Sequence, residues 1–289
     1  MSERQMVQTL KPVSKTAYYC CGVRALDARA AHSVCSDTYA ERFMTSDAWA
    51  LFEPFRGLKA PNASNVARHR MIDDLLRARL ARRPDTGVVL IGAGFDTRAF
   101  RLRGGRWVEL DEPALISLKE SVLPAREAQN SLARIAITFE RDALEEALRP
   151  FRHLTEPVIV LEGVLPYLQA AEVEKLLRIL RNTFPHPTLI CDLTTQRFAR
   201  IYGGRIGKKL RELGAPYGRL EREPLELIEG AGFRLTSRES IAARAVALGT
   251  LRFPRLLLAT VLRSLRDGYT IATFESGQVT RLAGAGGPT

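Results

Sequence analysis

The chain has 289 residues, 46% of them hydrophobic, which is enough to bury the core of one large α/β domain with an appended cap. No stretch reaches the ~20 apolar residues of a membrane span, and Lys11 and Lys15 interrupt any signal-peptide pattern at the N-terminus. The formal charge of +11 permits an anionic partner. However, the arginines are spread along the chain, a distribution that favours an ordinary solvated surface over a dedicated site for nucleic acid.

Four cysteines stand at scattered positions and form no Cys-x-x-Cys pair. The vicinal pair Cys20-Cys21 cannot easily form a normal disulfide, and Cys35 and Cys191 are isolated. The four histidines likewise show no metal-ligand spacing. We therefore expect a cytoplasmic protein with reduced thiols, no metal and no membrane partner.

The first 60 residues show helix and loop patterns without a strand. Short helices are predicted over Ser14–Ala30 and Asp37–Met44, and the dipeptides Glu53-Pro54 and Ala60-Pro61 predict breaks after them. A longer helix is predicted over Ser64–Arg83, with Ser64 as its N-cap.

Apolar strand patterns then alternate with helical ones, which is typical of a doubly wound parallel sheet. Five strands are predicted, over Val88–Ile91, Trp107–Leu110, Ile135–Phe139, Val158–Leu161 and Leu189–Leu193, with helices over Pro113–Leu123 and Ala170–Thr183 between them.

After the fifth strand the alternation lapses. Residues 194–220 are basic, helical and punctuated by glycine, which indicates an insertion over the strand ends. Two late strands are predicted over Phe233–Ser237 and Tyr269–Phe274, with a helix from about Pro254 to Arg266 between them. The prediction is therefore an α/β fold with a Rossmann-like sheet of seven strands, followed by a disordered tail over 276–289.

The segment from Val88 to Arg98 carries the strongest chemical signal. A buried strand runs into Gly92-Ala93-Gly94, at the sheet edge where doubly wound folds bind cofactors. The dinucleotide fingerprint requires a third small residue, where Thr97 stands, so the pattern argues against a nicotinamide cofactor.

An acidic residue follows at the end of the second strand. Asp111 lies 19 residues after Gly92, a spacing at which a carboxylate can accept hydrogen bonds from both ribose hydroxyls. The alternative is that Asp111 caps the helix that Pro113 opens.

Several motifs in order resemble the leucine carboxyl methyltransferase family, in particular its bacterial polyketide-type O-methyltransferases. The resemblance covers about residues 14–275. Its motifs are Ser14-Lys15-Thr16-Ala17, Arg68-His69-Arg70-Met71-Ile72-Asp73, the glycine segment through Leu102, Glu109-Leu110-Asp111-Glu112-Pro113 and Leu161-Glu162-Gly163-Val164-Leu165-Pro166-Tyr167-Leu168. It implies a class I methyltransferase that uses S-adenosyl-L-methionine for O-methylation in polyketide or secondary metabolism. In these terms residues 1–60 are a helical cap and 61–275 the methyltransferase domain.

The same resemblance implies roles at the cofactor site. Arg68 matches the arginine that binds the methionine carboxylate, Lys15 matches a lysine there, and Glu162 matches the glutamate that faces the amino group. Arg68 and Lys15 have the alternative reading of solvated surface charges. The family commonly has an acid at the adenine edge, where this chain has Thr138 beside Phe139. Either the backbone near Phe139 recognises adenine, or the register differs and Glu140 or Asp142 serves.

The acceptor pocket is predicted from Tyr18, Tyr19, Arg24 and Tyr167, although Tyr167 could equally be a packing residue. The catalytic group is not identifiable, and His32, His69 and Tyr167 are candidates. Because a carboxylate is already ionised whereas a phenol needs a base, the missing base favours a carboxylate acceptor. Basic residues such as Arg24, Arg197, Arg200, Lys208 and Lys209 either attract an anion or are simply solvated.

We therefore expect an O-methyltransferase for a carboxylate or hydroxyl of a small molecule or peptide. The alternatives are a methyltransferase fold that only binds cofactor, or a nucleic-acid methyltransferase. The latter usually has an Asn/Asp-Pro-Pro-Tyr-like turn after the fourth strand, which Glu162-Gly163-Val164-Leu165-Pro166-Tyr167 does not match.

Overall fold

The computed structural model describes residues 7, 9–139, 143–252, 254, 260 and 262–276. A sheet of seven strands lies at its centre, in the order β3-β2-β1-β4-β5-β7-β6. The strands are β1 (Gly87–Ile91), β2 (Arg106–Asp111), β3 (Ser131–Ala136), β4 (Val158–Leu161), β5 (Thr188–Thr194), β6 (Phe233–Ser240) and β7 (Tyr269–Ser276). Strands β1 to β5 are parallel, and β7 runs antiparallel between β5 and β6.

Thirteen α-helices with both ends in the described part of the chain flank the sheet. They are α1 (Pro12–Lys15), α2 (Ala17–Ala28), α3 (Ser46–Arg56), α4 (Lys59–Arg82), α5 (Arg98–Arg101), α6 (Pro113–Val122), α7 (Leu144–Leu148), α8 (Ala170–Thr183), α9 (Gln196–Tyr202), α10 (Gly204–Glu212), α11 (Pro224–Gly230), α12 (Ile241–Ala247) and α13 (Arg263–Gly268). None of these helices is both long and apolar enough to cross a membrane.

Side chains of the central strands alternate between two hydrophobic cores. Val88 and Leu90 pack with α2, α3, α4, α6 and α12 on one face, whereas Val89 and Ile91 pack with α7, α8 and α11 on the other. Because both faces are covered, every residue of β1 is buried, which explains the continuous apolar run in its sequence.

The predicted doubly wound sheet is confirmed, with corrections at single elements. The predicted breaks at Glu53-Pro54 and Ala60-Pro61 are wrong. Pro54 lies inside α3 near its C-terminal end, and Pro61 lies in the first turn of α4, where a backbone N–H has no helical partner to lose. Ser64 is therefore inside α4, and Leu58 occupies its N-cap position.

Two strands have bounds that differ from the predicted ones. The third strand spans Ser131–Ala136 rather than Ile135–Phe139, because this half-exposed edge strand pairs in register with β2 from Arg106 onward. The first late strand continues to Ser240. Most of the helix predicted from Pro254 and nearly all of the predicted tail lie outside the described residues.

Candidate functional site

A cavity of about 1380 Å³ opens at the carboxyl ends of β1, β2, β4 and β5. The strand order reverses between β1 and β4, the place where open α/β sheets bind ligands. A single small-molecule site commonly measures about 300–1000 Å³, so this cavity has room for two ligands side by side. Segments from the N-terminal helices and from residues 194–220 line it together with the sheet.

The loop after β1 forms one wall of the cavity. Gly92 and Gly94 have φ angles of 67° and 50°, a backbone conformation that side chains other than glycine rarely adopt. The amides of Gly92 and Ala93 donate to the carbonyl of Leu110, which ties the loop to the end of β2. All three loop residues line the cavity, as the glycine pattern predicts.

Asp111 faces the cavity from the end of β2. Its Oδ2 accepts from the Gly94 amide at 2.7 Å and its Oδ1 from the Glu112 amide at 2.7 Å, and it makes no side-chain cap of α6. Burial raises the pKa of Asp111 to about 6, although these two amides oppose the shift. Among the described residues the carboxylate has backbone partners but no ion-pair partner, so it can still accept hydrogen bonds from hydroxyl groups.

Arg68 reaches the cavity from α4 and stands between two carboxylates. Its Nε lies 3.1 Å from Glu162 Oε1 at the end of β4, and its Nη1 lies 3.4 Å from Asp192 Oδ2 at the end of β5. Tyr269 accepts from the same Nη1 at 2.9 Å and donates to Asp192 at 3.3 Å. The neighbouring Arg70 instead pairs with Asp74 at 2.7 Å and does not line the cavity.

A second buried arginine supports Glu162 from behind. Arg98 is fully buried, and its Nη1 contacts both Asp96 and Glu162, the latter at 2.8 Å. The Arg98 and Arg68 guanidinium groups hold the pKa of Glu162 well below its usual range, even though burial opposes them. His69, Asp96 and Glu162 lie close enough together to hold a metal ion, but the Arg98 guanidinium already supplies the positive charge there.

The histidine candidates lie away from the cavity wall. His69 is 1% exposed, with Nδ1 2.8 Å from Arg98 Nη2 and Nε2 2.8 Å from Arg101 Nη2. Burial, followed by the charge of Arg98, lowers the pKa of His69. His32 is exposed and does not line the cavity. Neither ring is placed to take a proton from an acceptor.

The predicted acceptor residues divide into two groups. Tyr19 and Tyr167 line the cavity, and the Tyr167 ring meets Tyr217 edge-on at a centroid distance of 5.5 Å. Burial raises the pKa of the Tyr167 hydroxyl, so it is not prepared to act as a base. Tyr18 is 1% exposed and packs on Phe95 at 4.7 Å instead of facing the cavity.

Other predicted residues lie at or behind the cavity wall. Arg24 lines the cavity, but its Nε pairs with Asp37 at 2.8 Å and its Nη2 donates to the Phe95 carbonyl. Lys15 does not line the cavity, although residues 14 and 16 on either side of it do. Phe139 lines the cavity whereas Thr138 does not, and the alternatives Glu140 and Asp142 lie outside the described residues.

Several cavity residues were not predicted from the sequence. Asp192 had a usable signal, because it is an acid near the end of an apolar strand, like Glu162. Asn65 also had one, since Asn65, Arg68 and His69 are buried polar residues at helical spacing on α4. Four further cavity residues, which come from loops and from the ends of helices or strands, carry no local signal: Ser14, Glu112, Tyr217 and Tyr269.

Among the buried side-chain polar atoms that have no hydrogen-bond partner within the described ranges, two belong to cavity residues. They are Ser14 Oγ and Asn65 Oδ1. An unpaired buried polar group costs about 1–3 kcal/mol, which a polar ligand relieves. Together with Asp111 and Arg68, they suit a ligand with hydroxyl, amino and carboxylate groups.

A family model for leucine carboxyl methyltransferases matches residues 17–181. The tetracenomycin polyketide synthesis O-methyltransferase TcmP of Streptomyces glaucescens is 28% identical over 201 residues, which are 68% of this chain and 70% of that protein. A proposed S-adenosyl-L-methionine-dependent methyltransferase of Parafrankia sp. is 34% identical over 179 residues. That match covers 57% of each protein, so the chain spans little more than half of this relative.

Two solved structures share the fold at low sequence identity. A DUF574 family protein from Streptomyces avermitilis has a TM-score of 0.56 and 15% identity, covering 87% of this chain and all of that one. A proposed methyltransferase from Thermobifida fusca has a TM-score of 0.56 and 14% identity, covering 80% of this chain and 89% of that one.

Proposed function

Because the chain belongs to the leucine carboxyl methyltransferase family and is an S-adenosyl-L-methionine-dependent methyltransferase, we propose that it methylates an oxygen atom of a small acceptor, preferably a carboxylate oxygen. The observation that carries the proposal is Arg68 between Glu162 and Asp192 at the carboxyl edge of the sheet. Transfer to oxygen is further supported by the name of the TcmP relative.

The cavity residues fit the cofactor group by group. Arg68 can pair with the methionine carboxylate, while Glu162 and Asp192 provide acceptors for the amino group. Asp111 can accept from the ribose hydroxyls, and Phe139 offers an apolar surface for adenine. When bound, the cofactor would supply an electrophilic methyl group on a sulfonium, with the thioether of adenosylhomocysteine as the leaving group when an acceptor oxygen takes the methyl carbon in line.

The protein's own contribution is to position the acceptor and exclude water. No histidine lines the cavity within the described residues, and every carboxylate that lines it already has a hydrogen-bond or ion-pair partner. A carboxylate acceptor needs no base, whereas a phenol with a pKa near ~10 does. The preference for a carboxylate follows from this difference.

The test has two readouts. Methyl-labelled cofactor is incubated with aromatic carboxylates and with matched aromatic alcohols, and the product is treated with alkali. A methyl ester releases its label as methanol, whereas an ether keeps it. We expect alkali-labile label, and exclusively alkali-stable label would show a hydroxyl acceptor instead.

Cofactor placement is tested by binding of adenosylhomocysteine in calorimetry. Arg68→Ala should weaken binding about tens- to hundreds-fold, since it removes a buried charged hydrogen bond. Arg70→Ala, on the same helix but outside the cavity, serves as the matched control and should bind like the parent. Equal affinities of the two variants, or no binding by the parent, would contradict the assignment.

A further inference from the structure

The charged residues that line the cavity differ in how they are paired. All seven acids have a partner: Asp96, Asp111, Glu112, Glu145, Glu162, Glu172 and Asp192. Of the six cations, Arg24 and Arg68 are also paired. The other four have no side-chain partner within the described ranges, and all are exposed: Lys59, Lys175, Arg205 and Arg219. The cavity therefore presents four cations without a side-chain partner, against two acids, Asp111 and Glu172, that are hydrogen-bonded only to backbone amides.

Two of these cations belong to the segment 194–220. This segment holds seven lysines and arginines but a single acidic residue, Glu212. The ring of Tyr217 lies so close to Gly207 that a Cβ there would be 3.3 Å away. Arg205 lies two residues before Gly207, and Arg219 lies two residues after Tyr217. Both arginines are therefore close in the chain to this contact.

The same cavity exposes apolar surface. Among the described residues, the exposed large hydrophobic side chains are Phe139, at 37%, and Ile201, at 53%, and both line the cavity. Ile201 lies on α9, in the segment that carries the two arginines. Exposed apolar surface beside unpaired cations is complementary to an amphipathic anion.

We propose that the acceptor has an apolar body and a second anionic group, remote from the methylated oxygen, which Arg205 and Arg219 bind at the cavity mouth. This inference rests on the proposed function, because it assumes that the reacting oxygen lies deeper, near Arg68. A guanidinium group binds carboxylate or phosphate oxygens in a paired geometry, so either anion suits the site. These arginines would be specificity-determining residues, since they touch the acceptor but not the reacting atoms.

The test uses two probes with the same apolar body, 2-naphthoate and 2,6-naphthalenedicarboxylate. Each is titrated by calorimetry into protein already saturated with adenosylhomocysteine. The dicarboxylate should bind about tenfold more tightly than the monocarboxylate, and the double variant Arg205→Ala/Arg219→Ala should lose this preference. The preference should also shrink at high salt, because the two cations are exposed.

The control is the double variant Arg197→Ala/Arg200→Ala, which removes the same charge from exposed positions of the same segment that do not line the cavity. It should keep the preference for the dicarboxylate. Three results would overturn the proposal: no preference in the parent, equal loss in both double variants, or no saturable binding of either probe. Failure of the cofactor assignment would appear separately, in the prior titration with adenosylhomocysteine.

Discussion

At the residue scale, the site depends on carboxylates whose environments differ. Glu162 stays ionised because two guanidinium groups face it, whereas Asp111 has only backbone amides and its pKa rises to about 6. Two acids at the ends of β2 and β4, on either side of β1, are therefore prepared for different ligands. Glu162 suits a cationic amino group, and Asp111 suits neutral hydroxyl donors.

This difference predicts a pH dependence of cofactor binding. Ionised Asp111 accepts two hydroxyl hydrogen bonds better than its protonated form, so affinity for adenosylhomocysteine should fall as the pH drops through about 6. Asp111→Asn should bind more weakly and show a flat profile in this range. Calorimetry across the range measures both effects, and a parent profile that is flat near pH 6 would remove Asp111 from this role.

The pH dependence that Asp111 gives to the stability of the free protein should have the opposite sign to that of cofactor binding. Because its folded pKa is raised above the ordinary value of 3.8, the folded state binds more protons between that value and about 6. Asp111 therefore makes folding less favourable as the pH rises through this window. Loss of affinity at low pH thus cannot be explained by Asp111-linked unfolding.

Site residues were predictable where a local pattern carried the chemistry. The Gly92–Gly94 loop, Asp111 and Glu162 all follow strands, and the structure brings them to one cavity. The Arg98 contacts were not predictable, because an arginine after a glycine loop gives no indication that it will be fully buried. Its position depends on acids that come from other elements, among them Asp73 on α4.

At the element scale, α4 and α5 are joined by buried ion pairs. Asp73 Oδ1 lies 2.6 Å from Arg98 Nε, and its Oδ2 lies 2.8 Å from Arg101 Nη1. These arginines and His69 hold the pKa of Asp73 below its usual range, although burial opposes them. The network fixes the helix that carries Arg68 relative to the loop that carries Gly92 and Gly94.

Removing one member of this network should destabilise the fold strongly. Asp73→Ala removes the buried carboxylate that Arg98 and Arg101 share and leaves these guanidinium groups with fewer partners, so we expect a loss of about 3–5 kcal/mol in the free energy of unfolding. Asp74→Ala is the matched control, since Asp74 pairs with Arg70 and Arg244 at a partly exposed position and should cost less than about 1 kcal/mol. Urea unfolding measures both, and similar losses would show that the buried network is not the source of stability.

The same network should make the protein sensitive to acid. The folded pKa of Asp73 is depressed, so its contribution to stability is present above its unfolded pKa and is lost as the pH falls through the folded value. This sign is opposite to that of Asp111.

Elements were predictable to different degrees for physical reasons. Strands β1, β4 and β5 are buried on both faces, and their apolar runs, broken in β5 only by Asp192, located them well. Helix α3 was missed because Pro54 suggested a break, whereas the helix continues for two residues beyond it, to Arg56. Helix α12, Ile241–Ala247, was missed because it follows β6 without an intervening loop.

At the scale of the whole molecule, two segments far apart in sequence meet over the cavity. Residues 13–24 and 194–219 both contribute to its lining, although neither follows the strand–helix alternation of the sheet. Tyr167, after β4, contacts the second segment, since its ring meets that of Tyr217 at a centroid distance of 5.5 Å. Sequence patterns indicated that both segments are additions to the fold, but only long-range packing shows which residues face inward.

The net charge of +11 does not show which cations are free to bind a ligand, because many of them are paired in the folded protein. Many arginines are neutralised by nearby acids, including the buried Arg24, Arg68, Arg98 and Arg101. The unpaired cations that matter for ligands are those at the cavity. The sequence offered Arg197, Arg200, Lys208 and Lys209 as anion-attracting residues, yet none of these lines the cavity, whereas Arg205 and Arg219 do.

We propose that residues 14–45 and 194–220 close over the bound cofactor as a lid, which leads to a last prediction. Methyl transfer benefits from a water-excluding site, because bulk water would solvate the acceptor anion and lower its nucleophilicity.

Limited trypsin digestion tests the closure, since Arg197, Arg200 and Arg205 are exposed cleavage positions in the second segment. Saturating adenosylhomocysteine should slow cleavage there and in the N-terminal segment. Cleavage after the exposed Arg82, at the end of α4, is the internal control and should not change. Equal cleavage rates with and without the ligand would show that these segments form a fixed wall, in which case acceptor entry needs no lid motion.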